Sequence, residues 1–374
     1  MAMIEVKRTF HPIGQGAFYT EVFQGEGDKP SFVFVYDCGT ETADTHMSKP
    51  LSQQIDEWLL GDNIQQIDLL CISHFHKDHI NGLDHLLNKV RVKKTIIPML
   101  PENVVSLTRL HNFVSDGGID PNLDGYIEEL YYGSNDKESR FGKVIAVRPD
   151  EGERVEGGND EEKLLPLNQG IANGTEQQFV EIYWIFKPFN SVLPSDPLAR
   201  KVMTNIKSRL PQVVRADGSL DVQIIMNDSF FRAELMKEYR KEFKGRGDNL
   251  YTLVIESKPA DGINVQPCDK GARCLYFGDF DTSGDKTRLG RLFNTYRDYS
   301  DIGVVQVPHH GAKGNWKPEM LQGCPRLYVV SAGSNNSYHH PSYWVLHEIW
   351  QNGGRSHVVY EDLSSELRLE YVIG

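Results

Sequence analysis

Three histidines and one aspartate lie within six residues of the stretch "SHFHKDH": His74, His76, Asp78 and His79. The stretch follows the apolar run "IDLLCI", a pattern typical of a strand that ends in a loop. On an extended segment His74 and His76 point to the same side, and the turn that follows can direct Asp78 and His79 towards a neighbouring point. Such nitrogen and oxygen ligands suit zinc, manganese or iron. The stretch therefore predicts a site for two adjacent metal ions rather than a capped polar turn.

Other polar clusters follow apolar, strand-like runs near the far end of the chain. Asp279 lies in "YFGDFD", and His309 and His310 lie in "VPHHG". Loops at strand ends are held by a rigid scaffold and commonly carry function. A His-His pair before glycine would by itself indicate a surface turn, but its place after an apolar strand, beyond an aspartate at another strand end, favours a site. The sequence thus predicts that distant residues complete the metal site.

Strand-like and helix-like segments alternate along much of the chain. The segments "IEVKRTF", "FVFVYDCGT" and "IDLLCIS" predict strands, and "KPLSQQIDEWLLG" and "INGLDHLLNKV" predict helices. This alternation indicates a layered α/β domain. Between residues 100 and 245 the pattern is weaker, with one strand, "FVEIYWIFKPF", and helices around 196–209 and 229–243. We interpret that region as partly core strand and partly an elaboration over one face of a single domain spanning residues 1–374.

Composition and charge limit the classes of function. The chain has 374 residues and a formal net charge of −12, which argues against a broad electrostatic grip on nucleic acid but leaves room for a local basic groove. No apolar run approaches the roughly 20 residues of a membrane span, and the N-terminus lacks a signal-peptide pattern. The cysteines have no zinc-ribbon spacing, and they indicate reduced thiols in a cytoplasmic protein. They are Cys38, Cys71, Cys268, Cys274 and Cys324.

The clusters resemble those of the metallo-β-lactamase superfamily, in particular the branch that contains the hydrolase domain of the competence DNA-uptake protein ComEC. In that branch "VGQGD" is similar to "IGQGAF" here, with Ala17 in place of the acid, and "LIDTG" is similar to "VYDCG". Its "NNxSLVL…GD" resembles "DNLYTLVIES…CLYFGD", and its "HHGS…SxGxxNxxGHP" resembles "HHGA…SAGSNNSYHHP". The matches occur in order along the chain. The resemblance implies an αββα sandwich with a long insertion between the His/Asp motif and a bridging aspartate.

The resemblance also implies two divalent metal ions, zinc or manganese, and a set of ligands for them. His74 and His76 would hold the first ion and Asp78 and His79 the second, while Asp279 would bridge both. His310 would complete the second site, with His309 as the alternative; the one not used would contact the substrate phosphate. Asp37 in "VYDCG" would orient a ligating histidine by accepting its other ring hydrogen.

The expected ligand set of the first ion is short by one histidine. Many hydrolases of the superfamily supply a third histidine between the main motif and the bridging aspartate, where this chain offers His85 and His111. His85 lies in a helix-like segment and His111 follows no strand, so neither suits the role. The absence agrees with the ComEC-like branch, and it leaves the first ion weakly held. His339 or His340 could approach from "NSYHHPS", and we favour substrate contact over ligation for them.

The resemblance implies hydrolysis of phosphodiester bonds by a water molecule activated between two metals. Asp78 or Asp279 would orient that water, and the general acid would come from the His309/His310 or His339/His340 pairs. We slightly favour a nuclease over a hydrolase of a small phosphodiester of the cyclic-nucleotide or choline-phosphate type, which the acidic charge favours. An inactive scaffold for protein contacts is a third interpretation, and the retention of all six metal-ligand candidates argues against it.

The 100–245 region is expected to form one wall of the cleft and so to select the substrate. Two basic segments, 90–94 ("VRVKK") and 240–246 ("RKEFKGR"), could form a basic rim there. Taken singly, each is better interpreted as a solvated patch on an acidic protein. Hydrolysis of β-lactams or thiolesters, and redox chemistry at a di-iron centre, are disfavoured by the missing third histidine.

Overall fold

A computed structural model describes residues 3–115, 121–133, 139–149, 164–166, 170–190, 197–216, 218–243, 252–282, 286–323 and 326–374. Within these ranges the strands are, in chain order, β1 (Ile4–Phe10), β2 (Gly16–Gln24), β3 (Phe32–Thr40), β4 (Gln66–Ile67), β5 (Leu69–Cys71), β6 (Arg91–Val92), β7 (Lys94–Pro98), β8 (Leu100–Pro101), β9 (Lys143–Val147), β10 (Leu164–Leu165), β11 (Gly170–Ile171), β12 (Gln177–Phe179), β13 (Trp184–Asn190), β14 (Leu253–Pro259), β15 (Val265–Gln266), β16 (Cys274–Tyr276), β17 (Val304–Gln306), β18 (Leu327–Ser331), β19 (Arg355–Val359) and β20 (Leu367–Ile373).

The α-helices of the same residues are α1 (Leu51–Gly61), α2 (Lys77–Ile80), α3 (Leu83–Leu87), α4 (Glu102–Ser115), α5 (Pro121–Tyr132), α6 (Pro197–Arg209), α7 (Val222–Asn227), α8 (Ser229–Phe243), α9 (Asp269–Ala272), α10 (Lys286–Thr295) and α11 (Tyr343–Gln351). Short 3₁₀ turns connect several of these elements, among them one at His309–Gly311.

Most strands belong to two sheets. The first has the order β11-β9-β7-β5-β3-β2-β1-β20-β15, and the second has the order β12-β13-β14-β16-β17-β18-β19. Strands β3, β5, β7 and β9 run parallel in the first sheet, as do β16 to β19 in the second. Parallel strands are normally covered on both faces and read as continuous apolar runs. Strand β3 fits this rule, because all of its residues are buried.

The two sheets pack face to face through aromatic side chains. The Phe34 ring lies 4.4 Å from that of Phe186 and 5.9 Å from that of Tyr276, centroid to centroid. A buried ion pair of the first sheet faces the same layer, where Arg8 Nε donates to Glu21 Oε1 over 2.8 Å. The Tyr276 hydroxyl of the second sheet donates to the same oxygen over 2.7 Å. Burial of a charge is tolerated when it is paired and hydrogen-bonded in this way.

Helices cover the outer faces of both sheets. Ile55 of α1 and Leu86 of α3 belong to one apolar cluster with Ile72, next to β5 in the first sheet. Leu292 of α10 and Ile349 of α11 belong to a second cluster on the outer face of the second sheet. The layers therefore run helix, sheet, sheet, helix, and the predicted α/β sandwich is confirmed.

Residues 100–245 contribute to the sandwich as well as covering it. Strands β9 and β11 extend the first sheet, β12 and β13 extend the second, and helices α4 to α8 pack together, with Leu110, Ile206 and Leu235 in the same cluster as the first sheet's outer face. The predicted strand 179–189 is interrupted, because a 3₁₀ turn at Val180–Ile182 separates β12 from β13. The predicted helix 229–243 is α8, and 196–209 is α6 without residue 196, which lies outside the described residues.

The structure also bears on the predictions about the cysteines, the helix at 80–90 and membrane spans. Cys38, Cys71 and Cys274 are buried free thiols, Cys268 is an exposed one, and Cys324 lies outside the described residues. The predicted helix 80–90 is realised only in part, as the short helix α3, while α2 ends at Ile80, where the predicted helix begins. In the described part of the chain, no helix combines the length and the apolar character needed to cross a bilayer.

Candidate metal centre

The predicted site residues lie where parallel strands of the two sheets end at a common edge. The loop after β5 carries the "SHFHKDH" motif, and the loops after β16 and β17 carry Asp279 and the His309/His310 pair. The two sheets are joined there by a backbone hydrogen bond, in which Leu253 N–H donates to Ser73 O over 2.8 Å. Within the second sheet, His309 N–H donates to Gly278 O over 3.0 Å and holds the two loops together. Side chains from three distant parts of the sequence therefore converge on one point.

Two groups of candidate metal ligands share one aspartate. The ligand atoms of each group lie within 4.8 Å of one another. The first ligand group consists of His74, His76 and Asp279, and the second ligand group consists of Asp78, His79, Asp279 and His310. The structure thus brings together all six side chains predicted as metal ligands, in the two predicted sets. Their role as metal ligands stays a prediction.

In the second ligand group the side chains make close nitrogen–oxygen contacts. His310 Nε2 lies 3.0 Å from Asp78 Oδ2, and His79 Nε2 lies 3.2 Å from Asp279 Oδ1 and 3.6 Å from Asp78 Oδ2. All four residues are buried. Two carboxylates and two imidazoles therefore surround one small volume.

The His79 ring is oriented from behind by Asp37. Asp37 Oδ2 lies 2.7 Å from His79 Nδ1, and the carboxylate also accepts hydrogen bonds from the Ser73 backbone N–H (2.7 Å) and the Ser73 hydroxyl (2.6 Å). Because an ionised carboxylate only accepts, His79 Nδ1 carries the hydrogen and Nε2 of the neutral ring has a free lone pair. Asp37 is therefore placed as the partner that the sequence predicted for a ligating histidine.

The other two inward histidines are oriented in the same sense. His310 Nδ1 donates to the backbone carbonyl of Ser331 over 2.8 Å, and a carbonyl can only accept. The Ser73 hydroxyl gives its hydrogen to Asp37, so it accepts from His74 Nδ1 at 2.9 Å. In each neutral ring Nε2 is then the unprotonated nitrogen. Three imidazole lone pairs consequently face the carboxylates of Asp78 and Asp279.

A cation resolves the repulsion that this arrangement creates. The Nε2 atoms of His74 and His79 are buried and make no hydrogen bond within the described residues, although buried polar atoms are normally satisfied. Lone pairs of nitrogen and carboxylate oxygen that face one another require a proton or a metal ion between them. The donor set of imidazole and carboxylate matches that of zinc and of manganese. The residues present therefore fit the divalent ions that the sequence predicts.

The pKa shifts of the second ligand group point the same way. Burial favours the neutral ring of His79, but the charges of Asp78, Asp279 and Asp37 overcome it and hold the pKa of His79 well above its ordinary value. Burial likewise opposes the charged form of His310, and the hydrogen bond to Asp78 leaves its pKa raised. Without metal, protons take the place of the cation.

The carboxylates shift in the opposite direction. Burial would raise the pKa of Asp279, yet the neighbouring His309 and His79 hold it well below its ordinary range. Asp78 behaves in the same way, with its pKa lowered mainly by His79 and His310 against the effect of burial. Both side chains are therefore anionic at neutral pH, as ligands for a divalent cation must be.

The first ligand group is less enclosed. His74 Nε2 lies 3.7 Å from Asp279 Oδ2, and the ring of His76, which is only partly buried, lies 4.6 Å from that of His74. Burial, followed by the charges of His79 and His76, holds the pKa of His74 well below its ordinary value. His76 packs on the ring of His111 from α4, with a centroid distance of 4.2 Å.

Two further predicted residues line the rim of the cluster. His309 Nε2 lies 3.7 Å from Asp279 Oδ2 with a quarter of its side chain exposed, and the His340 ring lies 5.8 Å from that of His309. Burial, together with the charges of His309 and His310, lowers the pKa of His340 to about 4. The structure thus puts His310 inside the ligand cluster and His309 beside it, which agrees with the preference for His310. His339 is exposed.

The backbone around the cluster depends on close approaches that only glycine permits. A Cβ at Gly39 would lie 2.6 Å from His79 C, so glycine lets α2 rest directly on β3. Gly278 has a φ of +55°, and a Cβ there would lie 2.6 Å from Thr252 Cγ2. Gln306 fixes the same turn, since its Oε1 accepts from the N–H groups of Phe277 and Gly278 over 2.7 Å each. These contacts fix the position of Asp279.

Non-glycine residues with positive φ also gather here. Asp37, His309, His310 and His339 have φ values of 56°, 49°, 54° and 58°. Such conformations are uncommon outside glycine and concentrate at functional sites, where the surrounding structure enforces them.

Some contributors to the site carry no recognisable signal in the sequence. Ser73 and Ser331 orient histidines, but their types are common and their partners are distant. The sequence offers His111 only as a metal ligand of poor setting. In the structure it lies outside both ligand groups, against His76, with Nδ1 2.8 Å from the Tyr239 hydroxyl. His85 lies outside both ligand groups and pairs with Asp56 over 2.8 Å.

The two predicted basic segments are partly engaged elsewhere. Lys93 Nζ pairs with Asp68 Oδ1 over 2.7 Å, and Lys94 Nζ lies 4.8 Å above the Phe179 ring. In the second segment Lys241 pairs with Glu238 at 4.0 Å, and residues 244–246 lie outside the described residues. A basic rim stays a prediction.

Part of the chain is similar in sequence to known proteins. Residues 28–164 match the sequence model of the Metallo-beta-lactamase superfamily. A stretch of 102 residues is 30% identical to ComE operon protein 3 of Bacillus subtilis (strain 168), covering 27% of this chain and 12% of that protein. Residues 28–164 are therefore similar to the metallo-beta-lactamase superfamily, and the partial identity supports the ComEC-like resemblance. The stretch spans only about an eighth of that relative's length.

Solved structures similar to this chain have low sequence identity. Unliganded yeast PDE1 is 11% identical, with 100% of this chain and 99% of that chain covered and a TM-score of 0.41. The metallo-beta-lactamase fold protein YhfI from Bacillus subtilis is 9% identical, with coverages of 98% and 99% and a TM-score of 0.40. A diphosphatase from the PhnP family is 9% identical, with coverages of 97% and 88% and a TM-score of 0.35.

Proposed function

We propose that this chain is a metal-dependent hydrolase of the metallo-beta-lactamase superfamily, and that it cleaves phosphodiester bonds. The observation that carries the proposal is the convergence of three imidazole lone pairs, from His74, His79 and His310, on two buried carboxylates. One of these carboxylates, Asp279, belongs to both ligand groups. Such an arrangement suits two adjacent divalent ions, and we propose zinc or manganese because both accept nitrogen and oxygen ligands.

Two bound divalent ions supply Lewis-acid stabilisation of the attacking and leaving oxygens of a phosphodiester, and they make water acidic enough to react near neutral pH. Chemically, a water oxygen attacks phosphorus, the ester P–O bond to the leaving group breaks, and the leaving oxygen takes up a proton. Phosphodiesters need this help because the attacked centre is itself anionic.

The protein's own residues orient and protonate the reactants. Asp78 and Asp279 are anionic and face the same volume, so either can accept a hydrogen bond from the attacking water. His309 lies at the rim beside Asp279, and we propose it as the group that gives a proton to the leaving oxygen. His340 is neutral at pH 7 because its pKa is about 4. It therefore suits a hydrogen bond to the phosphate or the leaving group better than it suits proton donation.

The small first ligand group favours a phosphodiester over a β-lactam or thiolester. In the described residues that group has two histidines and the shared aspartate. Many hydrolases of the superfamily supply a third histidine there. A nuclease is our first choice of subtype, and a hydrolase of small phosphodiesters is the second, favoured by the net charge of −12. The buried free thiols of Cys38, Cys71 and Cys274 accord with a cytoplasmic location.

Hydrolysis assays on metal-loaded protein test this proposal. The substrates are bis-p-nitrophenyl phosphate, single-stranded DNA, duplex DNA, RNA and cyclic dinucleotides, each with and without added Zn²⁺ or Mn²⁺ and after removal of metal by a chelator. We expect metal-dependent release of p-nitrophenol and cleavage of at least one natural diester. A protein that binds two metal ions but cleaves none of these substrates would contradict the proposed reaction.

A further inference from the structure

Exposed aromatic rings gather beside the candidate metal centre. Tyr338, Tyr343 and Trp344 have 61%, 69% and 60% of their surface exposed. They lie in the segment that follows β18 and in the first turn of α11. Single exposed apolar residues are ordinary, but large rings exposed together at the mouth of a site indicate a surface that binds something.

One row of rings leads from solvent to the candidate catalytic carboxylate. The Tyr338 ring is stacked with that of His340, with centroids 5.8 Å apart and planes 17° apart. His340 in turn lies 5.8 Å from the His309 ring, and His309 Nε2 is 3.7 Å from Asp279 Oδ2. The pKa of Tyr338 is raised by the charge of Glu41, by burial and by the charge of Asp78, which agrees with a position near the cluster.

A second ring, Trp344, is joined to the loop that carries the histidine pair. The Ser342 backbone N–H donates to Gly311 O over 3.0 Å, which fastens the start of α11 to that loop. From the loop, Lys313 Nζ reaches 5.3 Å from the Trp344 ring centroid. This contact places a cation over an exposed indole, and the pair offers an aromatic surface and a positive charge next to the metal centre.

We propose that Tyr338 and Trp344 form a stacking platform for the unpaired bases of a single-stranded nucleic acid whose backbone enters the metal centre. The inference deepens the proposed function and rests on it. Every base has a π-face, so aromatic rings bind single strands with little dependence on sequence. The Lys313 ammonium group would pair with a phosphate of the same strand. Bases inside a duplex are not accessible to these rings, so the platform selects single strands over duplex.

Binding by the platform is compatible with the acidic charge of the protein. A net charge of −12 disfavours binding that depends on a broad basic surface, whereas base stacking requires only rings and a local cation. Two separate rings, one before and one within α11, offer places for more than one base. A single mononucleotide would need only one of them, and this favours a strand as the ligand.

Binding of matched oligonucleotides tests the platform independently of catalysis. Fluorescence anisotropy is measured on metal-free protein with a labelled thymidine 15-mer, with a 15-mer of the same backbone without bases, and with a duplex of the same length. Wild-type protein, Tyr338→Ala, Trp344→Ala and the double variant are compared. Trp350→Ala is the matched control, because Trp350 lies on the same helix, is 73% exposed and is not part of the platform. Circular dichroism shows whether each variant is folded.

We expect wild-type protein to bind the thymidine strand at least about tenfold more tightly than the abasic strand, as stacking on aromatic side chains provides. Each single variant should lose about fivefold or more of that preference, the double variant nearly all of it, and Trp350→Ala none. Equal binding of the thymidine and abasic strands by wild-type protein would overturn the inference, and so would unchanged preference in the folded double variant.

Two further arms separate this inference from the proposed function and from a small ligand. Base-dependent binding without any metal-dependent hydrolysis would contradict the proposed reaction and leave the platform supported. Hydrolysis of bis-p-nitrophenyl phosphate without base-dependent binding would overturn the platform alone. Competition by thymidine 5′-monophosphate as effective as that by the 15-mer would also overturn the platform, since it would show that one base fills the site.

Discussion

The two ligand groups share Asp279 but differ in how firmly the protein holds them. In the second ligand group every member is buried, Asp37 orients His79 and a backbone carbonyl orients His310. In the first ligand group His76 is only partly buried and rests on the ring of His111. Preorganised ligands lose little freedom when a metal binds, whereas mobile ones must be ordered at that moment.

The difference suggests a division of roles between the two sites. The second ligand group has two carboxylates and two oriented imidazoles, so it should bind a metal ion tightly and keep it. The first ligand group has fewer ligands and an open side, so its ion should exchange easily and leave room for an oxygen of the substrate.

Removing the shared carboxylate should have the largest effect. We expect Asp279→Ala to lower the rate of diester hydrolysis by about a thousandfold or more, since both ions lose a ligand and metal ions contribute several kcal/mol to the stabilisation of the transition state. The rate is measured with bis-p-nitrophenyl phosphate at saturating Mn²⁺. Asp281→Ala, two residues further in the same loop, is the control that should keep most activity. An Asp279→Ala protein with full activity would refute a shared bridging ligand.

Removing the partner behind His79 should weaken the second site selectively. In Asp37→Asn an amide replaces the carboxylate that accepts from His79 Nδ1, so the ring is no longer held with Nε2 facing the metal. Loss of such a partner typically costs 10- to 100-fold in metal affinity or activity. Titration with Zn²⁺ followed by calorimetry should show the tight phase weakened by about that factor and the weak phase little changed. The prediction fails if the weak phase alone responds.

Proton release should distinguish the two groups as pH changes. His79 and His310 have raised pKa values, so near neutral pH the metal-free second group holds protons that a metal must displace. Its affinity should therefore rise with pH through the neutral range and level off only above the raised pKa values, by up to about tenfold per unit for each proton displaced. His74 has a lowered pKa and contributes no such proton. Calorimetry in buffers of different ionisation enthalpy measures the protons released, and equal release in both phases would count against this assignment.

The smallest effect is expected at the ring that supports His76. His111→Ala removes the stacked partner and should weaken only the first site, by about threefold, because the ring orders a ligand without binding metal itself. His111→Phe keeps a flat ring and should restore most of the affinity. If His111→Phe were as weak as His111→Ala, the imidazole itself would be needed, and the interpretation as packing would be wrong.

Much of the fold and of the candidate site could be predicted from the sequence. The spacing of the "SHFHKDH" motif and the polar residues after later strands were sufficient to predict which side chains lie together, because the fold brings the carboxyl ends of parallel strands to one edge. The division of these side chains into two ligand sets came from the family resemblance, and it stays a prediction. The α/β sandwich followed from alternating strands and helices together with the family resemblance. These are local signals, repeated at several points along the chain.

The parts that could not be predicted depend on contacts between distant segments. Ser331 orients His310 through its backbone carbonyl, which any residue type could supply. His111 reaches the first ligand group only because α4 packs across the motif, where Asn112 Nδ2 donates to Phe75 O over 2.7 Å. The exposed rings of Tyr338 and Trp344 resemble any aromatic residue in a loop or helix until their neighbours are known.

The most direct test of the account is a count of the metal ions bound by each group. Wild-type protein, His310→Ala and His76→Ala are each loaded with Zn²⁺, dialysed, and analysed by mass spectrometry for metal per chain. The account predicts two ions in wild type before dialysis and one tightly held ion after it. His76→Ala should keep the tight ion, and His310→Ala should lose it. A wild-type protein that retains no metal, or a tight ion that survives in His310→Ala and disappears in His76→Ala, would contradict the account.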